Sequence, residues 1–117
     1  MHEFAICEQL THAVLEEHAK LGDGPRLLRV RVVVGALQQI VPENLRQAYD
    51  VLVSGTSAEG SVLEITSVPV RLRCGDCDSE SLLGDSGFLC TCCESRDVKV
   101  VSGRELHLTS LEIDDGD

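Results

Sequence analysis

The stretch Cys74-Gly75-Asp76-Cys77 … Cys90-Thr91-Cys92-Cys93 decides how the second half of this chain folds. Two cysteine pairs, each with two intervening residues, stand on either side of a twelve-residue connector. This is the spacing of a zinc ribbon, in which two tight turns bring four thiolates to one tetrahedral ion. The pattern predicts a zinc site whose ligands are Cys74, Cys77, Cys90 and Cys93.

Four thiolates leave no open position for substrate or water, so the pattern favours a structural metal over a catalytic one. A rubredoxin-like iron site and a dithiol redox pair use the same spacing and remain as alternatives. The second pair also contains Cys92, which offers a third thiol for two positions. Spacing favours Cys90 and Cys93 as ligands and leaves Cys92 as a neutral neighbour or a reactive thiol.

The charge of the chain indicates which kinds of partner it can bind. The chain has 117 residues, a net charge of −10 and only 3% aromatic residues. A zinc ribbon that binds nucleic acid normally presents a basic face, because phosphate neutralisation dominates affinity. The acidic balance therefore disfavours a nucleic-acid partner and fits a protein that meets other proteins or cations.

The N-terminal residues indicate the compartment. Residues 1–22 lack a basic start, and acids and histidines interrupt their apolar residues, so we predict no signal peptide. No run approaches the roughly 18 apolar residues that a membrane span needs. We expect a cytoplasmic protein without a membrane partner, in which the six cysteines bind metal rather than form disulfides.

The first half of the chain reads as alternating helices and strands. Apolar residues at helical spacing predict a helix over Phe4–Leu21, and β-branched alternation predicts a strand over Leu27–Val34. Pro42 is placed to start a second helix that ends before Ser54. The extended stretch Ser61–Arg73 changes parity, which predicts a turn or bulge near its middle, at residues 66–69.

After the cysteines, strands are predicted over Asp97–Val101 and Arg104–Ile113. This order predicts an α+β fold: a small β-sheet with two helices on one face, plus an inserted zinc-ribbon domain. We place the α+β domain at residues 1–69 and 105–117 and the zinc-ribbon domain at residues 70–104. The last strand is expected to rejoin the sheet.

The opening tripeptide Met1-His2-Glu3 is a second candidate for metal binding. The terminal amine, the backbone nitrogen of residue 2 and the His2 imidazole can chelate one ion in adjacent five- and six-membered rings, and Glu3 could complete the set. Planar nitrogen ligation suits Ni²⁺ and Cu²⁺. Taken alone, the motif is weak, because a histidine at position 2 is usually just an exposed terminus and an acid at position 3 is common at a helix start.

The order of these features resembles the HypA/HybF family, which contains nickel metallochaperones for maturation of nickel–iron hydrogenases. The resemblance covers essentially the whole chain and rests on five segments. They are Met1-His2-Glu3 before a helix, Gly35 after the first strand, Val41-Pro42-Glu43-Asn44-Leu45 opening the second helix, the two cysteine pairs, and Gly103-Arg104-Glu105-Leu106 … Ser110-Leu111-Glu112-Ile113 at the end.

The resemblance implies a protein with two metals. His2, with the Met1 amine and Glu3, would hold Ni(II) transiently, and the four cysteines would hold Zn(II) permanently. The implied partners are a nickel-handling GTPase, the hydrogenase large subunit and, for some members, urease maturation proteins.

The chain departs from the family in the cysteine segment. The second pair usually contains a proline where Thr91 or Cys92 stands. Asp78 and Glu94 follow the two pairs at positions where a left-handed backbone is common, and Glu94 tolerates that conformation poorly. We therefore expect the second turn to be strained or to have a different shape.

The remaining cysteine and histidine residues show weaker signs of a function. We interpret Cys7 as a half-buried helix residue, and His12 and His18 as surface or boundary residues. No serine–histidine–acid set, phosphate loop or carboxylate pair stands out, so we do not expect an enzyme. The alternative to nickel delivery is a zinc-ribbon module that binds protein or nucleic acid, with no function for the N-terminus.

Overall fold

The computed structural model describes residues 2–22 and 24–114, and Met1 lies outside them. The chain forms two compact units. Unit 1 consists of Met1–Val33, Ile40–Thr66 and His107–Asp117, and unit 2 consists of Val34–Gln39 and Ser67–Leu106.

Two helices pack against each other in unit 1. Helix α1 runs from His2 to Ala19, and helix α2 runs from Pro42 to Val53 with the proline in its first turn, as the sequence predicts. Helix α1 begins two residues earlier than predicted. His2 and Glu3 therefore lie in the first turn of a helix rather than ahead of it.

A three-stranded sheet accompanies the helices, with strand order β2-β1-β6. Its strands are β1 (Arg26–Gly35), β2 (Val62–Val68) and β6 (Leu106–Asp114). The last strand lies beside the first, as expected. Strict alternation along β1 would place Leu28 on the buried face with Val30 and Val32. Instead Leu27 is buried and Leu28 is half-buried, because the alternation of buried and half-buried residues shifts at the start of the strand.

The core of unit 1 is aliphatic with one tyrosine. Helix α1 contributes Cys7, Leu10 and Val14, and Tyr49 of α2 is fully buried. The Tyr49 hydroxyl lies 2.5 Å from Ser61 Oγ, which donates to the Ala58 carbonyl, so the buried phenol has a partner. Cys7 is 0% exposed and lies 3.7 Å from the Leu45 carbonyl, so our interpretation as half-buried is wrong.

The prediction that His18 lies at the surface or boundary is also wrong. Its ring is 5% exposed and joins the end of α1 to two loops. Nε2 donates to the Pro25 carbonyl at 2.9 Å, and Nδ1 lies 3.3 Å from Ser57 Oγ. The two partners are contributed by distant parts of the sequence, which is why helical periodicity on α1 did not reveal the burial.

Unit 2 contains a second antiparallel sheet with strand order β4-β3-β5. Its strands are β3 (Arg71–Cys74), β4 (Glu80–Leu82) and β5 (Val98–Ser102). Strand β4 lies inside the connector between the cysteine pairs, where no strand was predicted. The predicted interruption between β2 and β3 is present at residues 69 and 70.

A short 3₁₀ turn, Ala36–Gln38, also belongs to unit 2. Gly35 just before it donates to the Glu105 carbonyl at 2.7 Å. A Cβ on Gly35 would lie 2.1 Å from the backbone of Gly103, so only glycine allows this approach. The α+β fold predicted from the sequence is thus confirmed, with two helices and two small sheets in the part of the chain that the structure describes. Among the residues that the structure describes, no helix combines the length and apolarity needed to cross a membrane.

Candidate metal centres

The four cysteines at ribbon spacing meet at one point in unit 2. Their sulfur atoms all lie within 4.8 Å of one another; they belong to Cys74, Cys77, Cys90 and Cys93. The Cys74 and Cys93 sulfurs are 3.5 Å apart, and so are those of Cys77 and Cys90. A tetrahedron with zinc–sulfur bonds of about 2.3 Å has edges of about 3.8 Å, so the cluster fits a Zn²⁺ ion.

Each cysteine pair sits on a tight turn, which we call a knuckle: the first is residues 74–79 and the second residues 90–95. In the first knuckle, the N–H of Asp78 donates to the Cys74 carbonyl at 3.1 Å, and the N–H of Cys74 donates to the Ser79 carbonyl at 2.9 Å. The second knuckle has the same two bonds, from Glu94 to Cys90 and from Cys90 to Ser95, at 2.9 and 2.8 Å.

The same turns aim backbone N–H groups at sulfur. Cys74 Sγ accepts from the N–H groups of Asp76 and Cys77 at 3.3 and 3.4 Å. Cys90 Sγ accepts from Cys92 and Cys93 at the same two distances. Such bonds favour the charged thiolate, which is the form that ligates metal.

The position after each pair has a left-handed backbone. Asp78 has a φ of 62° and Glu94 a φ of 64°. The second knuckle thus has the same shape as the first and takes the strained backbone conformation at Glu94, which is one of the two outcomes expected. A left-handed conformation costs a non-glycine residue about 1–2 kcal/mol of folding free energy. Both knuckles contain such a residue.

The pKa values of the thiols differ strongly across the cluster. Hydrogen bonds from the Ser79 hydroxyl and from the backbone of Cys93 and Cys92 lower the pKa of Cys90 to about 6. A backbone hydrogen bond from Ser95 acts to lower the pKa of Cys93, but the Cys74 thiol, burial and the other two thiols raise it to about 12.

This spread has a physical cause. Four negative sulfurs this close repel one another, so some keep their protons unless a cation is present. A divalent ion removes that repulsion, and its binding releases protons. The donor set is therefore suited to a thiophilic divalent metal.

Burial divides the cluster in the same way in both knuckles. Cys74 and Cys90 are 2% and 1% exposed, whereas Cys77 and Cys93 are exposed. Cys92 is exposed as well, and its sulfur does not belong to the group of four. The structure thus brings together the four cysteines that spacing favours.

The second predicted site lies at the start of α1. His2 Nδ1 is 4.0 Å from Glu3 Oε1, with side chains 50% and 15% exposed respectively. Neighbouring donors of one ion with bonds of about 2.1 Å lie about 3.0 Å apart, so the two side chains lie close to each other but would have to turn inward to bind one ion together. Met1, whose amine belongs to the predicted ligand set, lies outside the described residues.

Glu3 has a second contact that sequence reasoning missed. Its Oε2 accepts from the N–H of Val41, the residue that caps α2, at 3.2 Å. This bond is the main cause of a lowered pKa at Glu3, with smaller contributions from its own N–H, from His2 and from the terminal amine. Glu3 is therefore a carboxylate held at a defined place.

The other acid at a helix start, Glu43 in the first turn of α2, forms an ion pair with Arg46 at 2.5 Å.

Comparison with known proteins identifies the family. Residues 1–113 match the family model described as "Hydrogenase/urease nickel incorporation, metallochaperone, hypA". The chain belongs to the HypA family.

Relatives named hydrogenase maturation factor HypA support this assignment. The protein from Acidithiobacillus ferrooxidans is 38% identical over 97% of this chain and 100% of its own length. The protein from Nostoc punctiforme is 35% identical over 98% of this chain and 97% of its own. The resemblance stated from the sequence is thereby confirmed.

Two solved structures share the fold. The solution structure of the Ni metallochaperone HypA from Helicobacter pylori has a TM-score of 0.64 and 26% identity, over 95% of this chain and 96% of that one. A second solution structure, titled HypA protein, has a TM-score of 0.67 and 27% identity, over 97% and 96% of the two chains. The HypA family is thus a family of nickel-incorporation metallochaperones that act in maturation, and this chain shares both its sequence and its fold.

Proposed function

We propose that this chain is a nickel metallochaperone that binds Ni(II) at its N-terminus and delivers it for maturation of nickel–iron hydrogenase. The ligands are the Met1 amine, His2 and Glu3. The domain at residues 1–69 and 105–117 handles nickel, and the zinc-ribbon domain at residues 70–104 holds structural Zn(II). The observation that carries the proposal is that the side chains of His2 and Glu3 lie side by side in the first turn of α1, with Nδ1 and Oε1 4.0 Å apart.

The chemistry of the helix start supports the assignment. The first four N–H groups of a helix have no acceptor inside the helix, so ligation through the backbone nitrogen of residue 2 breaks no helical hydrogen bond. The helix dipole places partial positive charge at this end and disfavours a cation by about 0.3–1 kcal/mol. Both features suit a site that binds nickel and also releases it.

The pH dependence of nickel binding follows from the terminal amine. An α-amino group titrates near pH 8 and must lose its proton to ligate. Nickel affinity therefore increases as the pH rises through 7 and 8. The proton acts as a competitor, which also offers a route to release.

The zinc site has a different task. Its residues Cys74, Cys77, Cys90 and Cys93 supply four thiolates and no open position, so the ion shapes unit 2 without reacting. The partners of the proposed function are a nickel-handling GTPase of hydrogenase maturation, the hydrogenase large subunit and urease maturation proteins. They meet the chain in the cytoplasm, without nucleic acid or membrane, and the chain acts by binding and transfer rather than as an enzyme.

The test compares two histidines on the same helix. His2→Ala in untagged protein should abolish nickel binding in calorimetry while elemental analysis still finds one zinc per chain. His12→Ala is the matched control, because His12 lies on α1 with an 82% exposed side chain paired with Glu16; it should keep both metals.

Unchanged nickel affinity in His2→Ala would contradict the proposal and favour a zinc-ribbon module whose N-terminus has no function. Thiol–disulfide turnover that is lost in Cys92→Ser would instead indicate a redox protein.

A further inference from the structure

The two knuckles have the same backbone hydrogen bonds but differ in what their serine hydroxyls contact. Both have serine two residues after the second cysteine, at Ser79 and Ser95. Both serine carbonyls accept from the first cysteine of their own knuckle. The two hydroxyls, however, point to different partners.

The Ser79 hydroxyl lies against sulfur. Its Oγ is 3.0 Å from Cys77 Sγ in its own knuckle and 3.5 Å from Cys90 Sγ in the other. A hydroxyl beside two thiolates is the donor, because an ionised sulfur can only accept. Ser79 therefore places one O–H group over the edge that joins the two knuckles.

The Ser95 hydroxyl lies against oxygen and nitrogen. It donates to the Asp76 carboxylate and accepts from the N–H of Asp97 at 3.0 Å. It therefore ties the knuckles together without a contact to a ligand atom. The pair of serines offers a natural comparison of a hydroxyl that touches sulfur with one that does not.

We propose that Ser79 is a positioning residue of the zinc centre, whose hydroxyl hydrogen-bonds the Cys77 and Cys90 thiolates and thereby strengthens binding of the metal. The proposal concerns the zinc centre alone and does not depend on nickel binding at the N-terminus. It predicts a role for the first knuckle that the second knuckle does not share.

The physical reason is the charge of the centre. Zinc with four thiolates carries a net charge of −2, which hydrogen bonds to sulfur spread and stabilise. Backbone N–H groups already donate to the sulfurs of both knuckles, including that of Ser79 to Cys77. The Ser79 hydroxyl adds a side-chain donor at 3.0 Å from Cys77 Sγ, and Cys77 is an exposed ligand from which water can displace the metal.

The experiment uses the full-length zinc protein and three variants: Ser79→Ala, Ser79→Thr and Ser95→Ala. Competition with a chromophoric chelator gives the zinc dissociation constant. We expect an increase of about 10–100-fold in Ser79→Ala, which is the usual effect of removing an outer-shell partner. Ser79→Thr retains the hydroxyl and should restore tight binding, and Ser95→Ala, which removes no contact with sulfur, should lose less affinity than Ser79→Ala.

A spectroscopic measurement separates contact with sulfur from a general loss of stability. With Co²⁺ in place of zinc, loss of a hydrogen bond raises the energy of the sulfur lone pairs, so the thiolate-to-cobalt charge-transfer band should move to lower energy in Ser79→Ala only. Equal zinc affinity and an unmoved band in that variant would overturn the proposal. The same affinity loss and band shift in Ser95→Ala would also overturn it, because that hydroxyl has no contact with sulfur.

Discussion

The two candidate metal sites differ in where their donors come from. The zinc site takes Cys74 from the end of a strand and its partner Cys93 from a knuckle nineteen residues later. The proposed nickel site takes its donors from residues adjacent in sequence, His2 and Glu3. Distant donors meet only when unit 2 has folded, so binding of the metal and folding are one equilibrium.

Adjacent donors do not require the fold, and their site is open to water. The His2 side chain is half exposed, whereas Cys74 and Cys90 are almost fully buried. A site with four donors, two of them buried, is suited to retaining an ion, and an exposed site is suited to exchanging one. The proposed function accordingly assigns a structural metal to the cysteines and a transported metal to the N-terminus.

The largest effect is expected from a change that breaks the folded site. Cys90→Ser removes a buried ligand that accepts two backbone N–H groups, and it should abolish zinc binding, which contributes about 10–16 kcal/mol at structural sites. Elemental analysis and protein NMR should show loss of zinc and of ordered signals from unit 2, while nickel still binds at the N-terminus.

Cys92→Ser is the control for this experiment, since Cys92 lies outside the group of four sulfurs. It should retain one zinc and an unchanged spectrum. Loss of zinc in Cys92→Ser, or its retention in Cys90→Ser, would contradict the assigned ligand set.

A smaller but still large effect is expected at the open site. One glycine added before Met1 displaces the amine from its place beside the His2 backbone nitrogen. Nickel affinity should fall about 100-fold or more, which corresponds to about 2.7 kcal/mol, with no change in zinc content. Calorimetry on protein with native and extended termini provides the measurement. If the extended protein bound nickel as tightly as the native one, the amine would not be a ligand.

Glu3 gives a moderate effect that depends on pH. The Val41 N–H favours its charged form and lowers its pKa. A carboxyl whose pKa is lower in the folded state contributes stability above its unfolded pKa, about 4.3, and loses that contribution as the pH falls through the folded value.

The variant Glu3→Gln cannot titrate. Without added nickel, the difference in Tm between wild type and variant should therefore be larger at pH 6 than at pH 3. Thermal unfolding followed by circular dichroism measures the difference. A difference independent of pH would show that the Val41 contact does not favour the charged form.

The smallest effect compares the two knuckles. Glu94→Gly should stabilise the zinc protein by about 0.5–1 kcal/mol, because glycine adopts a positive φ without strain. Asp78→Gly should gain less, since aspartate tolerates this conformation better. Guanidinium unfolding of both variants measures the order, and a larger gain at Asp78 would reverse our interpretation.

Much of this arrangement could be predicted from local pattern. Helix α2 begins at Pro42 as expected, because proline at a first turn has a purely local cause. The cysteine spacing likewise anticipated the four sulfurs that meet, including the choice of Cys93 over Cys92.

The sequence-based predictions are wrong where contacts with distant segments determine burial or strand pairing. His18 is buried because Pro25 and Ser57 supply its partners, and Leu27 replaces Leu28 in the core through a local shift in the strand. Strand β4 forms inside the connector because β3 lies beside it. None of these has a signal in helical or strand periodicity.

The sequence by itself determined the donors: a histidine at position 2, two cysteine pairs at ribbon spacing, and a serine at the same offset behind each pair. Only the tertiary structure decided what those residues contact. It placed Glu3 on the Val41 N–H, aimed one serine at sulfur and the other at a carboxylate, and buried one cysteine of each pair. The reason is that donor type and spacing are covalent properties, whereas hydrogen bonding and burial depend on segments that meet only on folding.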